Sequence, residues 1–395
     1  MRLTYLTAAL IAVLAILAAP LLYGALAPGA RRPATGAATP AASGEADWPC
    51  WLGPNRDAKS PDKGLLKEWP KDGPPLLWKA ADIGHGFSTV SVSGGMVYTT
   101  GDAGGRLWVF AFDMDGKPKF KIDADAAWER DPPGSRATPT IDGGNLYIES
   151  GNGVVGCYDA KTGARKWARK MSEFGGHTPG WGYAESVLIL GNLAIVTPGG
   201  GKCIVALNKL TGQPVWASSG FSAGAQYGGC LAFTFQNVPL IAAGTDAGLV
   251  CVDARSGALV FQNGFSAKNT ANCPTPAYAD GHVFWANGYG KGGICMKLAA
   301  AGGRVTCLEL ATGKTMWKNR GVGKGSILWA EGMLYLFGEG GGKAALAICS
   351  PEGMQMNGQF SVAGSGPSWA HPVVIGGRLY RRYDTNLYCF DVKAK

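Results

Sequence analysis

Arg136, Glu185 and Lys324 stand among aromatic residues in a pattern suited to capturing a flat anionic molecule. Counting back eleven residues from each of seven regularly spaced apolar triplet ends gives Phe87, Arg136, Ala184, Cys230, Cys273, Lys324 and Trp369. Trp181, Tyr183, Glu185, Asn272 and His371 lie within a few residues of these positions. Cations attract an anion, and the faces of Trp and Phe offer stacking and cation–π contacts. Arg136, Glu185, Lys324, Trp369, Trp181, Asn272 and His371 are therefore the candidate ligand- or cofactor-binding residues. The condition is a fold that gathers equivalent positions of successive repeats around one axis.

Other chemistry finds less support. The four histidines, His85, His177, His282 and His371, show no metal-ligand spacing, so no metal ligands are assigned. Asp113-Met114-Asp115-Gly116 opens like a calcium loop but lacks the later acidic ligands and reads as a turn. No nucleophile elbow, phosphate loop or haem-attachment motif occurs, and no catalytic residue is assigned. Of ten cysteines, Cys157, Cys251, Cys307 and Cys389 share one repeat position on a third strand and read as small buried hydrophobes. Cys230 and Cys273 fall on adjacent innermost strands, where a disulfide is conceivable. The formal charge of +9 would suit a polyanion, but the Lys and Arg residues are scattered through turns. No long basic run or nucleic-acid motif accompanies them, which argues against nucleic acid as a partner.

The elements that would position these residues follow from repetition. An acidic or Asn residue, a Thr-Gly-like turn and an aromatic four residues after the Gly recur in several copies. They are Asp113…Gly116…Phe120, Asp159…Gly163…Trp167, Asn208…Gly212…Trp216, Asp253…Gly257…Phe261 and Glu309…Gly313…Trp317. Such a period marks one supersecondary unit stacked many times. Seven apolar triplets, each preceded by a Gly- or Asn-containing turn, add a hairpin to each unit. Their last residues are Tyr98, Tyr147, Ile195, Ile241, Phe284, Tyr335 and Tyr380. With 61 glycines and only 16% charged residues, the chain reads as all-β. The expected fold is a seven-bladed β-propeller of four-stranded antiparallel blades, with eight blades as the alternative count.

The last unit ends without its aromatic strand, and Leu76-Leu77-Trp78-Lys79 is an aromatic strand without a preceding unit. Residues near 76–80 are therefore expected to complete the C-terminal blade and remove two sheet edges. Pro139, Pro276 and Pro372 open the first strand of three units, which places that strand innermost, where a missing N–H is tolerated. The excess length of the fifth unit is expected to be a Gly/Ala-rich loop near 286–304. Residues 1–27 read as a signal peptide or an N-terminal signal anchor, and 28–46 as a flexible Ala/Pro/Gly linker. Residues 47–395 read as one propeller domain.

Asp159-Ala160-Lys161-Thr162-Gly163-Ala164-Arg165-Lys166-Trp167 resembles the pyrroloquinoline quinone (PQQ)-type propeller repeat of the quinoprotein alcohol dehydrogenase and BamB superfamily. Trp48-Pro49-Cys50-Trp51-Leu52-Gly53-Pro54-Asn55-Arg56-Asp57, Gly180 to Ser186 and Gly366 to Pro372 resemble PQQ-like propeller proteins of planctomycete-type bacteria. The resemblance implies PQQ and Ca²⁺ for an enzyme of the group. Such enzymes typically have eight blades, an adjacent cysteine pair over the quinone and a catalytic Asp, and the first two features are missing here. Neither the calcium ligands nor the base can be placed on this sequence. The expected function is thus a BamB-like binding and scaffold module of the cell envelope, extracytoplasmic and monomeric. It would be membrane-tethered if the N-terminal segment is uncleaved, and its partners would be envelope proteins or a small ligand at the channel mouth. The alternatives are a PQQ-dependent dehydrogenase of alcohols or sugars, and polysaccharide binding.

Overall fold

The computed structural model describes residues 47–394, apart from 268–269, 302–303, 310–320 and 351–352. The signal, anchor and linker readings on 1–46, and the place of Trp317, lie outside the described residues. Among the described residues no helix is long and apolar enough to cross a membrane.

Seven antiparallel sheets form the blades of a β-propeller. Their inner strands, from blade 1 to blade 7, are Ser91–Ser93, Thr140–Asp142, Leu188–Leu190, Leu231–Phe235, Ala277–Ala279, Gly325–Ala330 and Val373–Ile375. Pro139, Pro276 and Pro372 each stand directly before one of these strands, at the edge that faces the axis. Third strands such as Val205–Asn208 are buried on both faces because each is sandwiched between neighbouring blades, so they read as continuous apolar runs. Outer strands such as Arg165–Lys170 keep one aromatic buried and turn their charges outward.

That aromatic is a dock between blades. The indole N–H of Trp167 donates to the Lys209 carbonyl of blade 3 at 2.9 Å. Trp216 donates to Ala254 of blade 4, and Trp78 to Met114 of blade 1. Under each ring lies the turn glycine of the next blade. A Cβ added at Gly212 would stand 2.8 Å from Trp167, and one at Gly116 or Gly257 would be closer still to Trp78 or Trp216. The Gly of the repeated phrase thus frees its φ for the turn and leaves room for the preceding blade's aromatic.

Closure runs as the sequence predicts. The strand Leu76–Ala80 pairs with Asn386–Asp391, with Trp78 opposite Cys389, and becomes the outer strand of blade 7. Buried Arg382 of blade 7 fastens the joined seam by donating to Gly84, Thr99 and Thr100 near blade 1.

Two expectations are corrected. The stretch expected as a loop near 286–304 is largely strand. Gly292–Ala301 pairs with His282–Asn287 and with Arg304–Glu309. Ile294, Met296 and Leu298 alternate into the core, a period-2 signal that the surrounding Gly and Ala obscure. Cys295, opposite Phe284, therefore occupies the third-strand position, while Cys307 lies in the next strand out. The second correction concerns Cys230 and Cys273, which are not joined. Cys230 is buried beside Glu185, whereas Cys273 lines a cavity.

The segment 48–66 gives the fold its centre, threading the ring and touching every blade. Trp48 bridges to Val92 of blade 1, and the Pro49 carbonyl accepts from Ile141 of blade 2. Arg56 donates to Ser186 and Val187 next to blade 3 and to Cys230 next to blade 4, at 2.5 to 3.0 Å. Trp51 reaches Thr275 beside blade 5. Lys59–Ser60 adds a parallel strand to blade 6, and Asp62 accepts from Gly377 of blade 7. The buried Arg56 guanidinium, bonded to backbone carbonyls on both sides, is the central pin.

Candidate functional site

Above this axial segment the blades leave a bowl of about 350 Å³. Trp51 forms its floor, held by a 3.2 Å indole bond to Thr275 and an edge contact with His371 at 4.4 Å. Phe87, Trp181, Tyr227, Tyr289 and Trp369 supply the ring walls. Phe87, Trp181, Tyr227 and Trp369 come from loops leading to inner strands, which the propeller's symmetry converges, whereas Tyr289 comes from the turn between His282–Asn287 and Gly292–Ala301 of blade 5.

Five of the seven residues singled out from the sequence, Arg136, Trp181, Lys324, Trp369 and His371, line this bowl. Arg136 lies against the faces of Phe87 and Trp128, at 5.7 and 5.2 Å. Its two terminal nitrogens donate to the carbonyls of Gly134 and Pro132. Burial lowers its pKa to about 10, with Asp102 and Tyr227 opposing the shift, so it stays charged at neutral pH. No carboxylate among the described residues lies within ion-pair distance of it.

The opposite wall is self-neutralised. Glu339 accepts from the Lys324 ammonium at 2.9 Å and from the Trp369 indole at 2.6 Å. Burial alone would raise the Glu339 pKa, but these two bonds outweigh it and hold the carboxylate ionised. The same bond to Glu339 raises Lys324. His371 is driven down to about 4 by burial, so its imidazole is neutral, and its Nδ1 has no partner.

Glu185 and Asn272 stand behind the wall. Glu185 is buried, accepting from the Thr197 hydroxyl and the Cys230 N–H, and burial raises its pKa. Glu149, also fully withdrawn from water and without a partner for either oxygen, lies near it and is raised well above the ordinary value by burial and by Glu185. Asn272 ties Gln226 and the Ala267 N–H together beneath the rim. The bowl residues that the repeat register does not find are Trp51, Tyr227, Tyr289 and Glu339. Tyr227 lies three residues before Cys230 and falls to a wider window, but Trp51 belongs to no repeat.

A second cavity of about 420 Å³ lies at the seam of blades 1 and 7, lined in part by Asp82, His85, Asp102 and Glu129. Burial raises Asp102 to about 6. Among the described residues no three His, Cys, Asp or Glu side chains are grouped to hold a metal ion.

A quinone with calcium would require acidic ligands around the ion and several cations for its carboxylates. The bowl's wall offers one unbalanced cation, Arg136, and one carboxylate, Glu339, already engaged twice. The donor set does not fit that pair.

The fold and site define an all-β propeller with an aromatic axial bowl. The family model described as outer membrane protein assembly factor BamB (PQQ_2) matches residues 62–222 and 200–296, and the chain belongs to this family of PQQ-like propellers. No curated protein matches the chain. Among solved structures, it is similar to a europium-containing methanol dehydrogenase, at TM-score 0.51 and 12% identity over 86% of this chain and 90% of that one. It is also similar to a chain of the mitotic checkpoint complex, at 0.50 and 13% over 94% and 98%. BamB from Moraxella catarrhalis aligns at 0.47 and 16% over 84% and 95%. At these identities the likeness is one of fold alone.

Proposed function

We propose that this protein is an extracytoplasmic binding module of the cell envelope that works as a scaffold, with the axial bowl as its functional face. Membership of the family described for an outer membrane assembly factor supports the location and the role. The observation that carries the reading against an oxidoreductase is the state of Glu339. It is the sole carboxylate among the described residues of the bowl's lining, and it is committed to Lys324 and Trp369 instead of standing free as a base. Exposed Trp181, Tyr289 and Trp369 at one mouth are what a contact surface requires.

The purified protein should show no dye reduction by alcohols or sugars when PQQ and Ca²⁺ are added. In cells, a photo-crosslinker at position 289 should join the protein to envelope proteins, and a Trp181→Ala/Trp369→Ala variant should lose those adducts. Quinone-dependent turnover, or adducts indifferent to the bowl, would overturn the scaffold reading.

A further inference from the structure

The charges of the bowl are unevenly matched. Lys324, Glu339 and Trp369 form a closed chain of hydrogen bonds on one wall. Arg136, on the opposite wall, has a positive charge and no carboxylate within ion-pair distance among the described residues. It cannot swing away to find one, because two backbone carbonyls and two ring faces hold it. Two of its five N–H groups are used in those bonds, which leaves donors for a ligand. A cation partly withdrawn from water gains more from an incoming anion than an exposed one, and carboxylate bonds to guanidinium are among the stronger ones.

The remaining surface selects for shape. Trp181 and Trp369 keep 40% of their surface exposed at the mouth although each is fixed by a partner, Tyr227 for the one and Glu339 with Phe87 for the other. Fixed, exposed rings favour flat apolar guests through offset stacking. A volume of about 350 Å³, with Trp51 in the lining, suits a small flat guest.

We propose that the bowl binds an aromatic ring carrying a single carboxylate, with the carboxylate on Arg136 and the ring against Trp181 and Trp369. A single unbalanced cation calls for a single charge, which separates this guest from a tricarboxylate quinone. The inference rests on the bowl being the functional face. The chemistry is shared by a small aryl acid and by the carboxy-terminal aromatic residue of a peptide.

Isothermal titration of the full chain with 2-naphthoate, 2-naphthamide and cyclohexanecarboxylate tests the class. N-acetyltryptophan and its amide test the peptide source. The aryl acid should bind at least tenfold more tightly than its amide and than the non-aromatic acid. Binding of N-acetyltryptophan over its amide would assign the peptide source, and binding of naphthoate alone the small acid. Arg136→Gln should abolish the preference for acid over amide, with the uncharged Arg136→Met as the substitute should the Gln variant melt early. Trp181→Leu should weaken acid and amide alike, and Arg130→Gln, outside the bowl, should change neither. Equal binding of acid and amide, a preference that survives Arg136→Gln, or no binding at millimolar concentration would overturn the proposal. Loss of aryl-acid binding with crosslinks intact counts against this ligand alone. Aryl-acid binding without crosslinks supports the ligand and counts against the scaffold.

Discussion

Replacing Gly212 by Ala should separate the two functions of the repeated phrase. Gly212 has φ +71° and lies under the Trp167 ring, where a new Cβ would stand 2.8 Å from ring carbons. The left-handed backbone costs an Ala roughly 1–2 kcal/mol. Pushing a methyl into a ring that is 8% exposed and bonded to the Lys209 carbonyl adds about 1–3 kcal/mol of overpacking. The sum is about 2–5 kcal/mol. At roughly 2.1 cal/mol/K of unfolding entropy per residue, a domain of about 350 residues would lose about 3–7 °C in Tm. Gly191→Ala, in another turn of the same blade, is the matched control, since its φ is +58° and nothing lies within 4 Å of its added Cβ. It should lose only the backbone part, about 1–3 °C. Differential scanning calorimetry of both variants, and of Gly212→Ala in a Trp167→Ala background, completes the cycle. The second background should recover about 1–3 kcal/mol of coupling. Equal losses for Gly191→Ala and Gly212→Ala, or strict additivity with Trp167→Ala, would refute the dock.

Three further outcomes are expected. Glu149→Gln should raise Tm at pH 8 and have little effect at pH 5. Burial raises the folded-state pKa of Glu149 above its unfolded value, so its contribution is full in acid and is lost as pH rises, and an uncharged Gln escapes that loss. A pH-independent difference between variant and parent melting curves would contradict the assignment. Arg56→Met should destabilise by about 3 kcal/mol or more, because the carbonyls of Ser186, Val187 and Cys230 lose their charged donor. Hydrogen exchange should then rise near residues 186–187 and 230 first. Trp78→Ala should cost about 3–5 kcal/mol, and limited proteolysis should release the strand Leu76–Ala80 before any other outer strand.

The blades were readable because their signals are local and repeated. Turn glycines, hairpin aromatics and prolines such as Pro139 each follow from backbone requirements at a single position. Closure through Trp78 was readable for a different reason: an orphan aromatic strand at one end matched a missing one at the other. The register also brought Arg136, Trp181, Lys324, Trp369 and His371 to one mouth, since positions equivalent in sequence converge at the axis. It placed Glu185 and Asn272 at the right height but not on the right side of the wall, because a strand register fixes height and the rotamer and loop fix direction. The axial segment was opaque. Trp48, Pro49 and Lys59 meet the blades largely through backbone groups, which every residue has, so no side-chain pattern announces them. Segment 292–301 failed for want of contrast, three core residues being diluted among Gly and Ala.

The axial segment also imposes an order on biosynthesis. Residues 48–66 leave the ribosome before any blade, yet their contacts include Gly377 and Lys393 at the far end of the chain. Arg56 must wait for blades 3 and 4, Lys59 for blade 6 and Asp62 for blade 7, so the hub is made first and seated last. Contacts this distant in sequence make assembly slow, because loop closure must be completed before they form. A chain truncated early in blade 7 would lack Gly377 and Lys393 as partners of the hub as well as a blade. Seating the hub and closing the ring are therefore one late event, completed only when the last strand of the chain has been made.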